Sequence, residues 1–289
     1  MLRCLAAAAD QRFMLNQILV VDNASNDGTG DIFRSNRTRT FPKICYFELS
    51  ENTGGAGGFQ AGMELALKGG ADWIWLMDDD AEPHPEALAE LMQVAKDPGN
   101  IYGSLATTGN ETAWLTTLLG PPARTVSMVA DVPEAASVQM LPFLGFLIHR
   151  DLVSKIGLPD AGFFIAADDV EYCIRARRAG AQIIVAGKSH IEHPKSRPYQ
   201  IRLPGYTLTG LELPPWKRYY DTRNRLLIAR KHYGMKLYTQ TIPGSLVRML
   251  ATLLKEPHRL AQLRAFSAGF IDGVLGRKGR RHEVWGIKQ

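Results

Sequence analysis

The chain has 289 residues, 45% hydrophobic and 22% charged, which fits one large core or a core with an appendage and excludes a disordered chain. No apolar run approaches the roughly 18 residues that crossing a bilayer requires, the longest being Met140 to Ile148, and Met1-Leu2-Arg3-Cys4 opens unlike a signal peptide, so a cytoplasmic protein is expected. The net charge of +5 hides an asymmetry, with 16 Lys and Arg against 24 Asp and Glu in residues 1–196 and 18 against 5 in residues 197–289.

In chain order, Leu2-Arg3-Cys4-Leu5 reads as helix, and Gln17 to Val21 as a short apolar strand ending in Asp22-Asn23-Ala24-Ser25-Asn26-Asp27-Gly28-Thr29. Ile44 to Leu49 is a second strand, ending at Ser50-Glu51-Asn52-Thr53-Gly54-Gly55. A third, Ala71-Asp72-Trp73-Ile74-Trp75-Leu76-Met77, runs out into Asp78-Asp79-Asp80. Strands alternating with helical stretches predict an α/β fold with a mostly parallel sheet. Glu86 to Lys96 is amphipathic and should pack back on that sheet. Thr107 to Val138 has weak periodicity and several prolines, as expected of an insertion near the mouth of a site. Met140 to Ile148 reads as a core strand, Asp168 to Gly180 as a helix with acids at its start and Gly at its end, and Gln182 to Val185 as a strand. Pro194 to Pro215 reads as loop, and three helical segments follow, about Trp216 to Tyr233, Ile242 to Leu254 and His258 to Leu275. Cys4, Cys45 and Cys173 form no CxxC pair, which fits reduced structural thiols.

Three carboxylates at the end of a buried strand stand where parallel sheets place their sites. Carboxylates one residue apart can both reach a hard divalent cation, and oxygen ligands suit Mg²⁺ or Mn²⁺ better than zinc. The plainer alternative is a solvated acidic turn before a helix opened by Pro83-His84-Pro85-Glu86. Asp22-Asn23-Ala24-Ser25 equally suits Asx-turn and capping chemistry, and Asp168-Asp169 suits a helix N-terminus. The glycines at 54, 55, 57 and 58 allow backbone to approach backbone or ligand closely, but their spacing lacks the GxGxxG register, which disfavours a dinucleotide-binding oxidoreductase.

Four signals stand in order: Val21 to Thr29, Asn52-Thr53-Gly54-Gly55-Ala56-Gly57-Gly58-Phe59, Asp78 to Asp80, and Asp168-Asp169 with His193 downstream. Together they resemble the family 2 glycosyltransferases of the GT-A fold. The Asn52 to Phe59 stretch looks most like bacterial galactofuranosyltransferases and related rhamnosyltransferases, and Tyr219-Tyr220-Asp221-Thr222-Arg223-Asn224-Arg225-Leu226 is similar to the helix after their catalytic domain. The resemblance implies a nucleotide-sugar-binding and catalytic domain over residues 1–196 and a basic helical region over residues 197–289. It assigns Mn²⁺ or Mg²⁺ to Asp78 and Asp80, with His193 ahead of His190 as a further ligand, and Asp79 to the donor sugar. Asp22, Asn52, Gly54 and Gly55 would hold the nucleotide sugar, and Asp169, or else Asp168, would be the catalytic base. Family members open with a strand and a Thr-x-Asn-Arg-like turn, whereas Leu2 to Leu5 looks like the helix that follows it. The first strand is therefore expected to be missing, through an incomplete start, replacement by another segment, or impaired nucleotide binding.

The implied activity is metal-dependent, inverting transfer of galactofuranose, or secondly rhamnose, from a UDP- or dTDP-sugar to a cell-envelope glycan or lipid-linked acceptor. A nucleotidyltransferase would need a basic Gly-rich loop near the N-terminus, which is absent from the sequence. A catalytically impaired homologue, acting as a partner or membrane-surface scaffold, is the alternative. The basic region contains no recognisable nucleic-acid reading module, and its Arg248, Lys255, Arg259, Arg264, Arg277, Lys278, Arg280 and Arg281 lie among apolar helical residues. That pattern predicts an anionic membrane surface as partner, on the inner face of the cell membrane.

Overall fold

The computed structural model describes residues 1–35, 44–195, 198–203 and 206–288. The chain divides into two compact units, the first comprising residues 1–52, 58–159 and 169–195, the second residues 53–57, 160–168 and 196–289. The boundary expected at residues 196 and 197 lies outside the described residues.

The first unit opens with α1 (Leu2–Ala9), followed by β1 (Ile18–Asp22), α2 (Thr29–Arg34) and β2 (Ile44–Glu48). β1 and β2 pair in parallel from Ile18 with Ile44 to Asp22 with Glu48. α3 (Gly54–Lys68) contributes all but its first turn to this unit and leads to β3 (Trp73–Leu76). Then come β4 (Glu82–Pro83), α4 (Ala87–Val94), β5 (Ile101–Thr108), β6 (Glu111–Leu118), β7 (Arg124–Met128), β8 (Ala135–Ser137) and β9 (Phe146–His149). α5 (Arg150–Ile156), α6 (Asp168–Arg178) and β10 (Ile183–Glu192) complete it.

The main sheet runs β3-β9-β5-β10-β4, with β6, β7 and β8 attached. It is α/β in architecture, but its pairing corrects the expectation of a mostly parallel sheet. Only β5 with β10 is parallel; β9 is antiparallel to both β3 and β5, and β4 is antiparallel to β10. An apolar run gives burial but not direction, so the tryptophan strand reads the same in either sense. The core strand is also shorter than Met140 to Ile148, because Gly145 has φ +72° and a Cβ there would come 2.4 Å from Ile191. The weakly periodic stretch forms the β6–β7 hairpin, in which Thr116 faces Val126 and Leu118 faces Arg124. Met63, Ile74, Leu76, Ile101, Phe146, Ile148 and Tyr172 fill the main core, all buried.

β1 pairs with no strand but β2, and β3 with none but β9, among the described residues. Both border one cavity of about 600 Å³, lined by Ile18 and Leu19 of β1, Trp73 to Trp75 of β3, and Leu5 and Ala8 of α1. The Trp75 indole nitrogen is buried without a hydrogen-bond partner among the described residues. α1 falls where the sequence reading expects a helix.

The second unit contains the β11 (Pro198–Leu203) and β12 (Tyr206–Leu211) hairpin, in a stretch expected to be loop. It is followed by α7 (Pro215–His232), a π-helical turn at Leu237–Thr241, α8 (Ile242–Lys255) and α9 (Arg259–Leu275). α7 and α9 cross closely because α9 is small at the contact: a Cβ at Gly269 would lie 2.3 Å from the Tyr219 carbonyl. Phe164, Tyr219, Tyr220, Ala265, Ala268 and Ile287 form the core of this unit.

Candidate functional site

The acidic triplet follows β3, turns through a hydrogen bond from Ala81 N to Asp78 O (3.3 Å), and returns as β4. β4 pairs with the last residues of β10, Pro83 opposite Ile191 and Glu82 opposite Glu192. His193 is the next residue along, so sheet register delivers it to the triplet, with Nε2 4.0 Å from Asp80 Oδ2. The His193 N–H donates to Thr107 O (3.0 Å), its carbonyl accepts from Thr108 Oγ1 (2.7 Å), and its ring stands edge-on to Trp114 at 5.6 Å. Nδ1 lies 2.8 Å from the Pro194 carbonyl, which can only accept. In the neutral ring the proton therefore sits on Nδ1, leaving the Nε2 lone pair on the side of Asp80.

The other histidines are engaged elsewhere. His190 Nε2 lies 2.7 Å from Gly187 O, and its ring stacks edge-on with His84, which meets Glu192 at 3.3 Å. His149 caps α5 by accepting from Asp151 N.

Asp79 is 80% exposed and lies 3.9 Å from the Met1 amine. Cys4 Sγ donates to Asp78 O at 3.5 Å, and burial pushes its thiol up to about 11, so it stays protonated. Among the described residues, no three His, Cys, Asp or Glu side chains are placed to hold a metal ion together, so Asp78, Asp80 and His193 are not gathered into a three-ligand set. An open edge such as Asp80 with His193 fits a hard cation that keeps several waters and takes substrate phosphate oxygens as further ligands.

Asp22 ends β1 and is buried, with 4% exposure. Its Oδ1 accepts from Ser25 N (2.9 Å) and its Oδ2 from Tyr46 OH (2.5 Å), while Phe33 stacks on Tyr46 at 4.5 Å. Burial alone would push this carboxyl up, but the bonds from Ser25 and Tyr46 outweigh it and hold it below its usual 3.8. Asp22 is thus an ionised acceptor with both oxygens already oriented. Asn52 is half-buried and follows β2 by four residues.

Asp169 lies in the first turn of α6, half-buried, its Oδ1 accepting from Val170 N (2.6 Å). The helix is anchored by Tyr172 OH to Gly157 O (3.0 Å) and by Arg175, which binds Glu171 and the carbonyls of Ile156 and Leu158.

In the second unit, the loop leading to Asp168 is held open against its own preference. Phe164, Ala166 and Ala167 all have positive φ (64°, 69° and 61°), a conformation that costs on the order of 1–3 kcal/mol per residue. Asn224 donates to the carbonyls of Phe163, Ile165 and Ala166 (3.1, 2.8 and 2.7 Å), and Arg223 to those of Phe163 and Gly279 (2.7 and 2.5 Å). Both clamp residues are fully buried, and the Arg223 guanidinium lies over the Tyr220 ring at 4.7 Å. Gly54 meets the same loop: its φ is +73°, and a Cβ would fall 2.0 Å from Phe164 O. Gly55 has open space where its Cβ would be.

Sheet register thus brings His193 to Asp80, and Asp169 stands in the first turn of an anchored helix. A family model described as glycosyl transferase family 2 matches residues 1–156.

The chain belongs to glycosyl transferase family 2. It is 30% identical over 243 residues to galactofuranosyltransferase GlfT1 of Mycobacterium tuberculosis (strain ATCC 25618 / H37Rv), covering 78% of this chain and 76% of that protein. It is 22% identical over 271 residues to dTDP-rhamnosyl transferase RfbF of Shigella flexneri, covering 91% of this chain and 87% of that one. Its fold is similar to that of GalNAc-T7, solved with UDP, GalNAc and Mn²⁺, with a TM-score of 0.57 at 16% identity; 86% of this chain is covered, and it spans 48% of that one.

In this family 2 glycosyltransferase the candidate site residues are held by others that pattern reading passes over. Thr107, Thr108 and Trp114 fix His193, and Tyr46 orients Asp22. They lie on strands whose partners the sequence does not reveal. Arg223 and Asn224 stand inside the Tyr219 to Leu226 motif, but its target loop is about 60 residues away in sequence.

Proposed function

We propose that this glycosyltransferase moves galactofuranose, or secondly rhamnose, from a UDP- or dTDP-sugar to a cell-envelope glycan or lipid-linked acceptor with inversion at the anomeric carbon. The observation that carries the reading is the meeting of Asp80 with His193 at the end of β3, in a chain 30% identical to a galactofuranosyltransferase.

Asp78, Asp80 and His193 would hold Mn²⁺ or Mg²⁺, which when bound supplies positive charge to a leaving diphosphate. Asp79, exposed between the two ligand carboxylates, accepts hydrogen bonds from the donor sugar. Asp22 accepts from the N–H of the pyrimidine ring, with Asn52 beside the nucleotide, and the Gly54-Gly55 backbone closes on the donor. Asp169, or secondly Asp168, takes the proton of the acceptor hydroxyl as the hydroxyl oxygen attacks the anomeric carbon and the bond from that carbon to the diphosphate breaks. A positioned base contributes typically ~10²–10⁴-fold. The lipid-linked acceptor places the enzyme on the inner face of the membrane, through its basic C-terminal region.

The test is product mass spectrometry with UDP-galactofuranose and dTDP-rhamnose, Mn²⁺ or Mg²⁺, and glycan acceptors. Transfer is expected, falling ~10²–10⁴-fold in Asp169→Asn with an unchanged melting temperature. If neither donor is consumed, or if Asp80→Asn and Asp169→Asn match the wild type, the reading fails.

A further inference from the structure

α8 carries apolar side chains on its outer side as well as its inner one. Amphipathic helices of globular proteins turn a roughly 100°-wide apolar stripe to the core; here Ala251 is buried with Ser245 and Thr252, while Leu246, Val247, Leu250 and Leu254 face solvent, at 45%, 37%, 57% and 72% exposure. Their spacing of three and four residues puts these four, with exposed Pro243, on one face. The inward polar side chains are served, Ser245 donating to Thr241 O at 2.7 Å. The stripe continues past the end of the helix: Leu254 and Leu260, the latter 84% exposed, line a shallow hollow of about 760 Å³ together with Lys255 and Arg259.

Charge decides what covers this face. Lys255, Arg259 and Arg264 make no salt bridge to a carboxylate among the described residues. The one acid lining the hollow, Glu256, is 4% exposed and turned inward to Arg218 (2.5 Å), Tyr199 (2.7 Å) and Gln262 (3.2 Å). What remains outside is apolar and positive. No helix of the described residues is long and apolar enough to cross a membrane. An apolar stripe bordered by unneutralised Lys and Arg matches the boundary between acyl chains and anionic headgroups.

We propose that the α8 stripe, with Leu260 and the Lys255–Arg259 hollow, is a docking surface for an anionic bilayer, the leucines entering the acyl boundary and the two cations taking lipid phosphates. The choice of a lipid surface rests on the membrane-side acceptor proposed above; the exposed stripe does not.

The experiment is flotation of the full chain with vesicles of phosphatidylcholine alone or mixed with phosphatidylglycerol. Binding is expected to the mixed vesicles only, weakened about tenfold or more by Leu250→Ser/Leu254→Ser. Lys255→Ser/Arg259→Ser should weaken it as well and reduce its salt dependence. The same variants are assayed for donor turnover with a soluble acceptor, which should match the wild type. Wild-type protein that floats with the mixed vesicles but turns over no donor overturns the catalytic reading and leaves this one standing. Equal vesicle binding by the leucine variant, or no binding by the wild type, overturns the docking surface. So does a dimer in light scattering that the leucine variant converts to monomer, which would give the stripe to a second copy.

Discussion

At the scale of single residues, two neighbouring glycines with the same sequence signature have opposite jobs. Gly54 is locked into the left-handed region with its α-carbon against the Phe164 carbonyl, whereas Gly55 faces open space. An L-residue in that region costs about 1–2 kcal/mol, and the overlap at 2.0 Å adds to it. Gly54→Ala should therefore lose at least about 2 kcal/mol in urea denaturation. Gly55→Ala should be neutral or stabilising by about 0.5–1 kcal/mol, since Ala orders more cheaply in a helix; a raised KM for donor in that variant would place the ligand at Gly55. The glycine run was legible as a place of close approach. Which glycine meets protein was not, because the partner, Phe164, lies 110 positions away.

At the scale of elements, the acidic pair depends on a loop that does not hold its own shape. Three non-glycine residues with positive φ precede α6, and Asn224 and Arg223 of α7 bind the loop's carbonyls. Asn224→Asp is nearly isosteric but replaces an amide whose two N–H donors are shared among three carbonyls by a carboxylate aimed at those oxygens. It should cost about 3 kcal/mol or more in urea denaturation, from unsatisfied buried acceptors and an unpaired buried charge. kcat should fall even where the variant remains folded. The helices themselves were legible from their periodicity and end signals, including α6 with its acidic start and Gly180 at its end. Strand direction and pairing were not, because apolar runs specify burial rather than neighbours: the antiparallel β9 takes a partner far away in sequence, and the β6–β7 and β11–β12 hairpins, though local, lie in stretches without clear alternation. His193 stood ahead of His190 by resemblance alone; what the sequence did not show is the β10 register that sets it 4.0 Å from Asp80.

At the scale of the whole molecule, buried titratable groups of the second unit set a pH response. His282 is fully buried, and desolvation holds its imidazole below the usual 6.5. The unfolded chain therefore binds that proton first, so stability falls as pH drops through about 6.5. Asp272 is buried too. Burial pushes its carboxyl up, but bonds from Tyr219 (2.6 Å), Trp285 (2.9 Å) and Arg281 (3.0 Å) outweigh this and hold it below 3.8. Its contribution is present above 3.8 and lost as pH falls through the depressed value. The melting temperature should hold from pH 8 to 7 and decline below about 6.5. His282→Gln should flatten that first decline and leave the acid loss below 3.8 in place.

The cavity between β1 and β3 has a colloidal consequence. A bare strand edge is a template for another chain, and here two of them end on one apolar hollow, with Phe13 and Met14 exposed at its lining. A net charge of +5 opposes such pairing by long-range repulsion, whose reach shrinks to about 10 Å at 0.1 M salt. The concentration at which this protein stays dispersed is therefore governed by ionic strength, and a single lysine placed at Leu19 would widen that range by charging the edge itself.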